Sequence, residues 1–322
     1  MINKMKKVSR FIFFIFILIS CQLNGQEIDK SWALSRISVA HVRTTPGHSS
    51  ELSTQILMGT PVKLLEQKGD WWYIEMPDGY KGYVIDNSLV SLSSDEMNNW
   101  KNVNRVIVTS IHQSYIYKTP SNKNIRNIIT DVVNGVILLG EKSSEEYSKV
   151  VLPDGRIGYI KSEDISSIEM WANQEFNSEK ILDVAYSMMG LSYLWGGTST
   201  KALDCSGLAK VSYYANGIIL RRDAYQQAET GDIISPENWQ ECQAGDLLFF
   251  GNKKTGRVTH VAIYDEKGLY IHASGRVKIN SIDPSSGLYL STPFFHASRI
   301  KSAIGTEGIT QACKHPWYFK QK

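Results

Sequence analysis

A strong charge of either sign is missing from this chain. Its 35 basic and 32 acidic side chains leave a formal net charge of +3, which is too small to argue for a nucleic-acid partner. No long basic run occurs outside the extreme N-terminus. No Cys/His spacing resembles a metal centre, so neither a metal nor a cofactor is expected. The apolar run at residues 11–19 is too short to cross a bilayer as an ordinary helix. Cysteine is scarce: four residues, Cys21, Cys205, Cys242 and Cys313, each need a separate account. Cys242 and Cys313 could pair in an oxidising compartment or stay as buried thiols, since two cysteines carry no spacing signal.

What is present is ordinary globular material. A hydrophobic content of 42% and a charged content of 21% fit folded domains, and 322 residues suffice for two or three of them. Lys4, Lys6, Lys7 and Arg10 before the short apolar run make an export signal. Leu18-Ile19-Ser20-Cys21 looks like a lipobox, so residues 1–21 read as a lipoprotein signal region with acylated Cys21 as the mature N-terminus. Plain cleavage near Gly25 is the competing reading. Either way the protein is exported, and the lipobox reading anchors it to a membrane on the periplasmic or cell-surface side.

Short β-like runs follow at residues 39–42, 61–67, 71–75 and 82–85, separated by turn signals. A second set lies at 106–110, 136–141, 148–152 and 157–160. Pro77-Asp78-Gly79 in the first set matches Pro153-Asp154-Gly155 in the second. The chain therefore carries an internal duplication of a small all-β barrel, over residues 35–95 and 103–168. Residues 94–101 link the copies, and both copies look like bacterial SH3 domains.

The remainder, 172–322, is organised around Leu203-Asp204-Cys205-Ser206-Gly207-Leu208. Residues 179–189 read as a helix with Ile181, Leu182, Ala185, Met188 and Met189 on one face. Another helix begins at Cys205. A thiol at a helix N-terminus sits beside the positive end of the dipole and unpaired N–H groups, which lower its pKa and can also hold an oxyanion. His260 lies in a β-rich run, and His272 lies in the next strand of a hairpin turned at residues 265–268. Neighbouring strands bring side chains within roughly 5 Å, so His272 can orient His260. The expected assembly is Cys205 as nucleophile, His260 as base and acid, and His272 as orienting group.

Asp204-Cys205-Ser206-Gly207, Ala244-Gly245-Asp246-Leu247-Leu248-Phe249-Phe250, Thr259-His260-Val261-Ala262-Ile263-Tyr264 and Ile271-His272-Ala273 together resemble the NlpC/P60 cysteine peptidases of bacterial cell walls. That resemblance covers about residues 170–322. It implies an α+β, papain-like catalytic domain behind two SH3-like barrels. The domain order narrows the resemblance to γ-D-glutamyl-L-diamino acid endopeptidases, also called dipeptidyl-peptidase VI. These cut peptidoglycan-derived peptides that carry a free N-terminal L-alanine and release L-Ala-γ-D-Glu. The resemblance implies that Asp223 binds the ammonium group, that Arg222 positions Asp204 or a substrate carboxylate, and that Glu51 reaches the amine. Tyr80 is its aromatic partner, with Tyr83 competing. Tyr193 faces the oxyanion, and Ser206 donates to the γ-D-Glu carboxylate. Ala224 departs from the pattern, standing where many relatives have serine.

Three other readings stay open. The chain could be a general D,L-endopeptidase with SH3 wall-binding modules, a non-catalytic wall-binding lipoprotein, or an acyltransferase or amidase on a papain-like fold. Residues 275–296 are expected to be mostly irregular, and Ser298-Arg299-Ile300 to begin the last strand. The apolar tail Trp317-Tyr318-Phe319 needs burial somewhere.

Overall fold

Alternating apolar and polar residues in short runs build two barrels in succession. The computed structural model describes residues 30–111 and 113–320, and the signal region with Cys21 lies outside them. The first barrel comprises β1 (Trp32–Ser35), β2 (Val39–Arg43), β3 (Leu52–Leu57), β4 (Pro61–Lys68), β5 (Trp71–Glu75), β6 (Lys81–Ile85) and β7 (Leu89–Leu92). Its strand order is β3-β2-β6-β5-β4-β1-β7. Ala40, Val42, Ile74 and Val84 point inward and are fully buried.

The link to the second barrel is a helix, α1 (Ser94–Trp100). Ser93 and Glu96 form a capping box that starts it, and its Met97 and Trp100 are buried. The second barrel runs through β8 (Arg105–Val108), β9 (Ser114–Tyr117), β10 (Ile128–Val132), β11 (Ile137–Gly140), β12 (Tyr147–Val151), β13 (Ile157–Lys161) and β14 (Ile165–Ser167). Its order, β10-β9-β13-β12-β11-β8-β14, repeats that of the first barrel strand for strand. The matched turn glycines also agree, with Gly79 at φ +79° and Gly155 at φ +83°. Residues 44–51, which carry Glu51, connect β2 to β3, and β3 pairs with β2 from Leu52 onward.

The two barrels touch at Gly59, whose φ is +79°; a Cβ there would sit 2.0 Å from the Ile137 carbonyl oxygen. The Ile137 N–H donates to the Met58 carbonyl at 3.0 Å.

In the third unit, α2 (Ile168–Ala172) and α3 (Ser178–Ser187) precede a two-stranded hairpin, β15 (Thr198–Ser199) and β16 (Ala202–Leu203). There follow α4 (Cys205–Tyr214), β17 (Ile218–Leu220), α5 (Ala224–Gln227) and β18 (Asp232–Ile234). The remaining strands are β19 (Leu247–Asn252), β20 (Arg257–Tyr264), β21 (Leu269–Ser274), β22 (Arg276–Ser281), β23 (Phe294–Arg299) and β24 (Ile309–Gln311). An antiparallel sheet in the order β18-β23-β19-β20-β21-β22 carries α3 and α4 on one face. Ile181, Ala185, Leu208 and Ala209 pack there against Phe249, Val261, Ile263 and Ile271, all fully buried. The fold is α+β, with the helices layered on one side of the sheet.

Three local expectations change, and the open alternative for Cys242 and Cys313 is resolved. Helix α3 stops at Ser187, so Met189 lies beyond it in the turn before Gly190 and is exposed, while Val184 takes a buried place. Residues 275–296 are less irregular than their polar composition implied: β22 pairs along the whole of β21, and β23 starts at Phe294. Ser298-Arg299 ends β23, and the last strand is β24. Cys242 and Cys313 are both free thiols, with no disulfide between them. The tail finds its burial between units: Tyr318 is 1% exposed against Trp171 and Tyr214, and the Trp317 ring meets Trp32 edge-on at 5.1 Å.

Substituting Gly59→Ala places a methyl group against the Ile137 carbonyl at a backbone angle that costs an L-residue about 1–2 kcal/mol. Thermal denaturation is expected to move down by several degrees. Limited proteolysis is expected to cut between the barrels sooner than in the wild type. An unchanged melting temperature and cleavage pattern would show that the barrels are not held through this contact.

Candidate active site

Asp204 is the N-cap of α4, and its Oδ1 accepts the Gly207 N–H at 2.7 Å. The same carboxylate accepts the Gly196 N–H at 3.0 Å through Oδ2. The Arg222 guanidinium closes on it with Nη2 to Oδ2 at 2.6 Å and Nη1 to Oδ1 at 3.2 Å. Asp204 is 6% exposed and Arg222 2%, so this is a buried, two-pronged ion pair. Of the two roles open to Arg222, the structure shows the one on Asp204. Ser206 belongs to the same cluster: its Oγ accepts from Arg222 Nη1 at 2.8 Å and donates to Asp204 Oδ1 at 3.2 Å. Its hydroxyl proton is thus committed inside the protein. This differs from the expected donation to a substrate carboxylate, and the reason is that a buried hydroxyl needs a partner and the Asp204 carboxylate stands beside it.

These bonds fix Cys205 at the first turn of α4, 8% exposed. Its sulfur lies against the backbone N–H groups of Val261 and Ser206, which favour the thiolate. Burial and the nearby Asp204 carboxylate outweigh them and push the thiol up to about 11. The helix terminus alone predicts the opposite direction; desolvation wins because the thiol is buried.

Val261 follows His260 on β20, so the amide that touches the sulfur also carries the candidate base. His260 Nε2 and His272 Nδ1 are 2.7 Å apart, and His272 Nε2 lies 3.0 Å from Asn280 Oδ1 on β22. Asn280 Nδ2 donates to the Leu288 carbonyl at 3.0 Å, so its Oδ1 is the atom turned to the ring. The protons then follow in one direction. His272 Nε2–H donates to Asn280, His260 Nε2–H donates to the bare His272 Nδ1, and His260 Nδ1 is left free to take a proton. Asn280 was not anticipated, because it lies in the stretch that read as irregular; only strand pairing reveals that it shares the His272 face.

Burial, the other ring and Lys278 hold His260 down to about 3. Burial likewise holds His272 down to about 4, with Lys278 adding to it. Neither a lone thiolate nor a lone imidazolium is favoured here, because burial opposes each charge taken singly. Tyr193, half-buried, is close enough to Cys205 for burial and the thiolate field to raise its hydroxyl strongly. Of the first N–H groups of α4, Gly207 serves Asp204 and Ser206 serves the sulfur, while that of Cys205 has no intrahelical partner.

The first barrel reaches this site through its β5–β6 turn. Lys210 of α4 pairs with Asp78 and donates to the Leu220 carbonyl at 2.8 Å. His315 Nε2 donates to the Pro77 carbonyl at 2.8 Å. With the turn held on both sides, the Tyr80 hydroxyl meets the Asp223 carboxylate, and burial beside that carboxylate pushes Tyr80 up to about 12. Burial raises Asp223 as well, against the pull of Arg222, whose Nη1 is 3.9 Å from it. Tyr83 is elsewhere: its hydroxyl accepts from Lys68 at 3.0 Å and its ring tilts on Tyr73. Glu51 lies on the same seam and accepts the Trp195 indole N–H at 2.7 Å. No bond joins Glu51 to Tyr80 or Asp223. Ala224, buried at the start of α5, presents only a methyl group.

Two of the three units match known family models. Residues 190–299 match the model of the NlpC/P60 family, and residues 38–91 match that of the bacterial SH3 domain. Dipeptidyl-peptidase 6 of Lysinibacillus sphaericus is 31% identical over 261 residues, covering 78% of this chain and 92% of its own. The γ-D-glutamyl-L-lysine dipeptidyl-peptidase of Bacillus cereus is 28% identical over 236 residues, covering 70% of this chain and 68% of its own. A crystal structure of an NlpC/P60 family protein from Bacillus cereus shares the fold, with a TM-score of 0.71 over 84% of this chain and 99% of that one at 23% identity.

Two outcomes test this geometry. Asn280→Ala frees the His272 ring, so kcat is expected to fall about 10–100-fold with little change in KM, measured by steady-state kinetics; full activity would remove Asn280 from the relay. Because both histidines lie below their ordinary 6.5 when folded, the unfolded chain binds more protons below that pH. Stability is therefore expected to drop as pH falls from about 6.5 toward 5. Thermal melts of the His260→Gln, His272→Gln double variant are expected to show a shallower drop over that window.

Proposed function

The chain belongs to the NlpC/P60 family of cysteine peptidases, and from that premise we propose that it hydrolyses the γ-D-glutamyl to L-diamino acid bond of peptidoglycan-derived peptides with a free N-terminal L-alanine. The observation that carries this reading is the Tyr80–Asp223 contact. A wall-binding module needs no contact with the catalytic cleft, yet here the first barrel inserts a hydroxyl into it, beside a carboxylate that keeps 28% of its side-chain surface open. A half-buried carboxylate with a neutral hydroxyl partner suits an ammonium group, since a charge-assisted hydrogen bond there is worth more than in open water. A barrel across one end of the cleft also limits the acyl portion of the substrate to a short, free end. The names of the relatives, dipeptidyl-peptidase 6 and γ-D-glutamyl-L-lysine dipeptidyl-peptidase, support the same bond.

In this mechanism Cys205 attacks the γ-glutamyl carbonyl as its proton passes to His260 Nδ1. The carbon–sulfur bond forms, and the tetrahedral oxyanion rests on the Cys205 N–H and the Tyr193 hydroxyl. Collapse breaks the carbon–nitrogen bond, and His260 gives the proton to the departing amine. Water, deprotonated by His260, then hydrolyses the thioester and releases L-Ala-γ-D-Glu. Export through residues 1–21 and acylation at Cys21 would place the enzyme at a membrane surface outside the cytoplasm, where cell-wall turnover yields such peptides.

The test is cleavage of L-Ala-γ-D-Glu-meso-diaminopimelate beside its N-acetylated form. Wild type is expected to cut only the free-amine peptide and Cys205→Ala neither. Asp223→Asn and Tyr80→Phe are expected to raise KM for the free amine, by about tenfold or more for the lost charge. Equal cleavage of both peptides by the wild type would favour a general D,L-endopeptidase with wall-binding barrels.

A further inference from the structure

Strand β22 forms the outer edge of the catalytic sheet and pairs residue by residue with β21: Tyr270 with Asn280, His272 with Lys278, and Ser274 with Arg276. The Asn280 side chain is on the His272 face, because the two are hydrogen-bonded. Alternation along the strand therefore brings Lys278 and Arg276 to that face as well. Lys278 is half-buried and Arg276 exposed, and among the described residues no ion pair joins either to a carboxylate. The main chain at Arg276 bridges to Ser192, next to Tyr193. Two unneutralised cations thus run from the histidine pair to the Tyr193 loop.

This position is unfavourable for the base itself, since a cation beside His260 and His272 opposes their protonation. It is favourable for an anion arriving with the substrate. The acyl portion is accounted for by Asp223 and Tyr80 on the α4 side of the cleft. The amine side of the scissile bond passes His260, which must reach it to deliver a proton. A diamino acid in that place carries a carboxylate one carbon from the leaving nitrogen.

We propose that Lys278, with Arg276 beside it, is the carboxylate subsite for the leaving diamino acid. The cation pair selects substrates whose leaving amine bears a free α-carboxylate, that is, peptides already trimmed to this residue. This rests on the γ-D-glutamyl reading above and deepens it by naming what is recognised on the other side of the bond. While the carboxylate is bound, it also neutralises the cation that disfavours the His260 imidazolium, so binding and proton transfer support each other. Lys278 acts here as a specificity-determining residue.

The experiment compares L-Ala-γ-D-Glu-L-Lys with the same tripeptide as its C-terminal carboxamide, using wild type, Lys278→Met and Lys278→Arg. Wild type is expected to favour the free acid by about tenfold in kcat/KM, chiefly through KM, the size of one charge-assisted contact. Lys278→Met is expected to lose that preference while cutting the carboxamide within about twofold of wild type, and Lys278→Arg to keep most of it. Lys278 is half-buried, so the folding of both variants is checked by their melting temperatures. Equal cleavage of the two peptides by the wild type overturns the subsite. So does an equal loss on both peptides in Lys278→Met, which would reduce Lys278 to a field on the histidines. Cleavage of neither peptide by the wild type is distinct from both results, and with the meso-diaminopimelate tripeptide also uncut it refutes the γ-D-glutamyl reading and the subsite together.

Discussion

One buried carboxylate holds this structure to its purpose. Asp204 begins α4, ties down the Gly196 turn, fixes Ser206 and accepts both prongs of Arg222. Removing one partner of such a pair leaves an uncompensated buried charge, at a cost of about 3–5 kcal/mol. Because Cys205 is the next residue, the place of the sulfur depends on this one cluster. The turn at Gly196 packs on the first barrel as well: a Cβ there would stand 2.3 Å from the Leu52 carbonyl oxygen. The interaction that sets the nucleophile thus also sets the seam against the neighbouring unit.

The two barrels show how one fold is put to two uses. Both carry the Pro-Asp-Gly turn with a glycine in the left-handed region. In the first, Asp78 is spent on Lys210 of the catalytic unit, and Tyr80 follows it into the cleft. In the second, Asp154 pairs with Arg156 beside it and faces Arg36 of the first barrel. The fold is duplicated, but the contacts that matter come from what each turn meets across its seam.

Electrostatics in the cleft follow from burial more than from the helix terminus. The sulfur and the His272 ring are buried and the His260 ring is partly buried, so each resists charge alone, and His260, His272 and Asn280 form one hydrogen-bonded chain. Lys278 at the sheet edge adds a fixed positive charge that an incoming carboxylate would meet.

By itself the sequence picked out Cys205 as the candidate nucleophile, the paired histidines, the duplication and the class of the fold, because those rest on local pattern: alternation, turn glycines, and motif spacing along one chain. Within the barrels it revealed four strands of seven each time, missing short ones such as β1 and β7 whose pairing is set by distant partners. Only tertiary structure decided between Tyr80 and Tyr83, since a shift of three residues turns a side chain to the other face of β6 and its hydroxyl to Lys68. Tertiary structure likewise turned Ser206 inward, brought Asn280 to His272 and reversed the expected shift of the Cys205 thiol. Each of these depends on which groups from separate segments share a small volume without water, and that is a property no single stretch of chain carries.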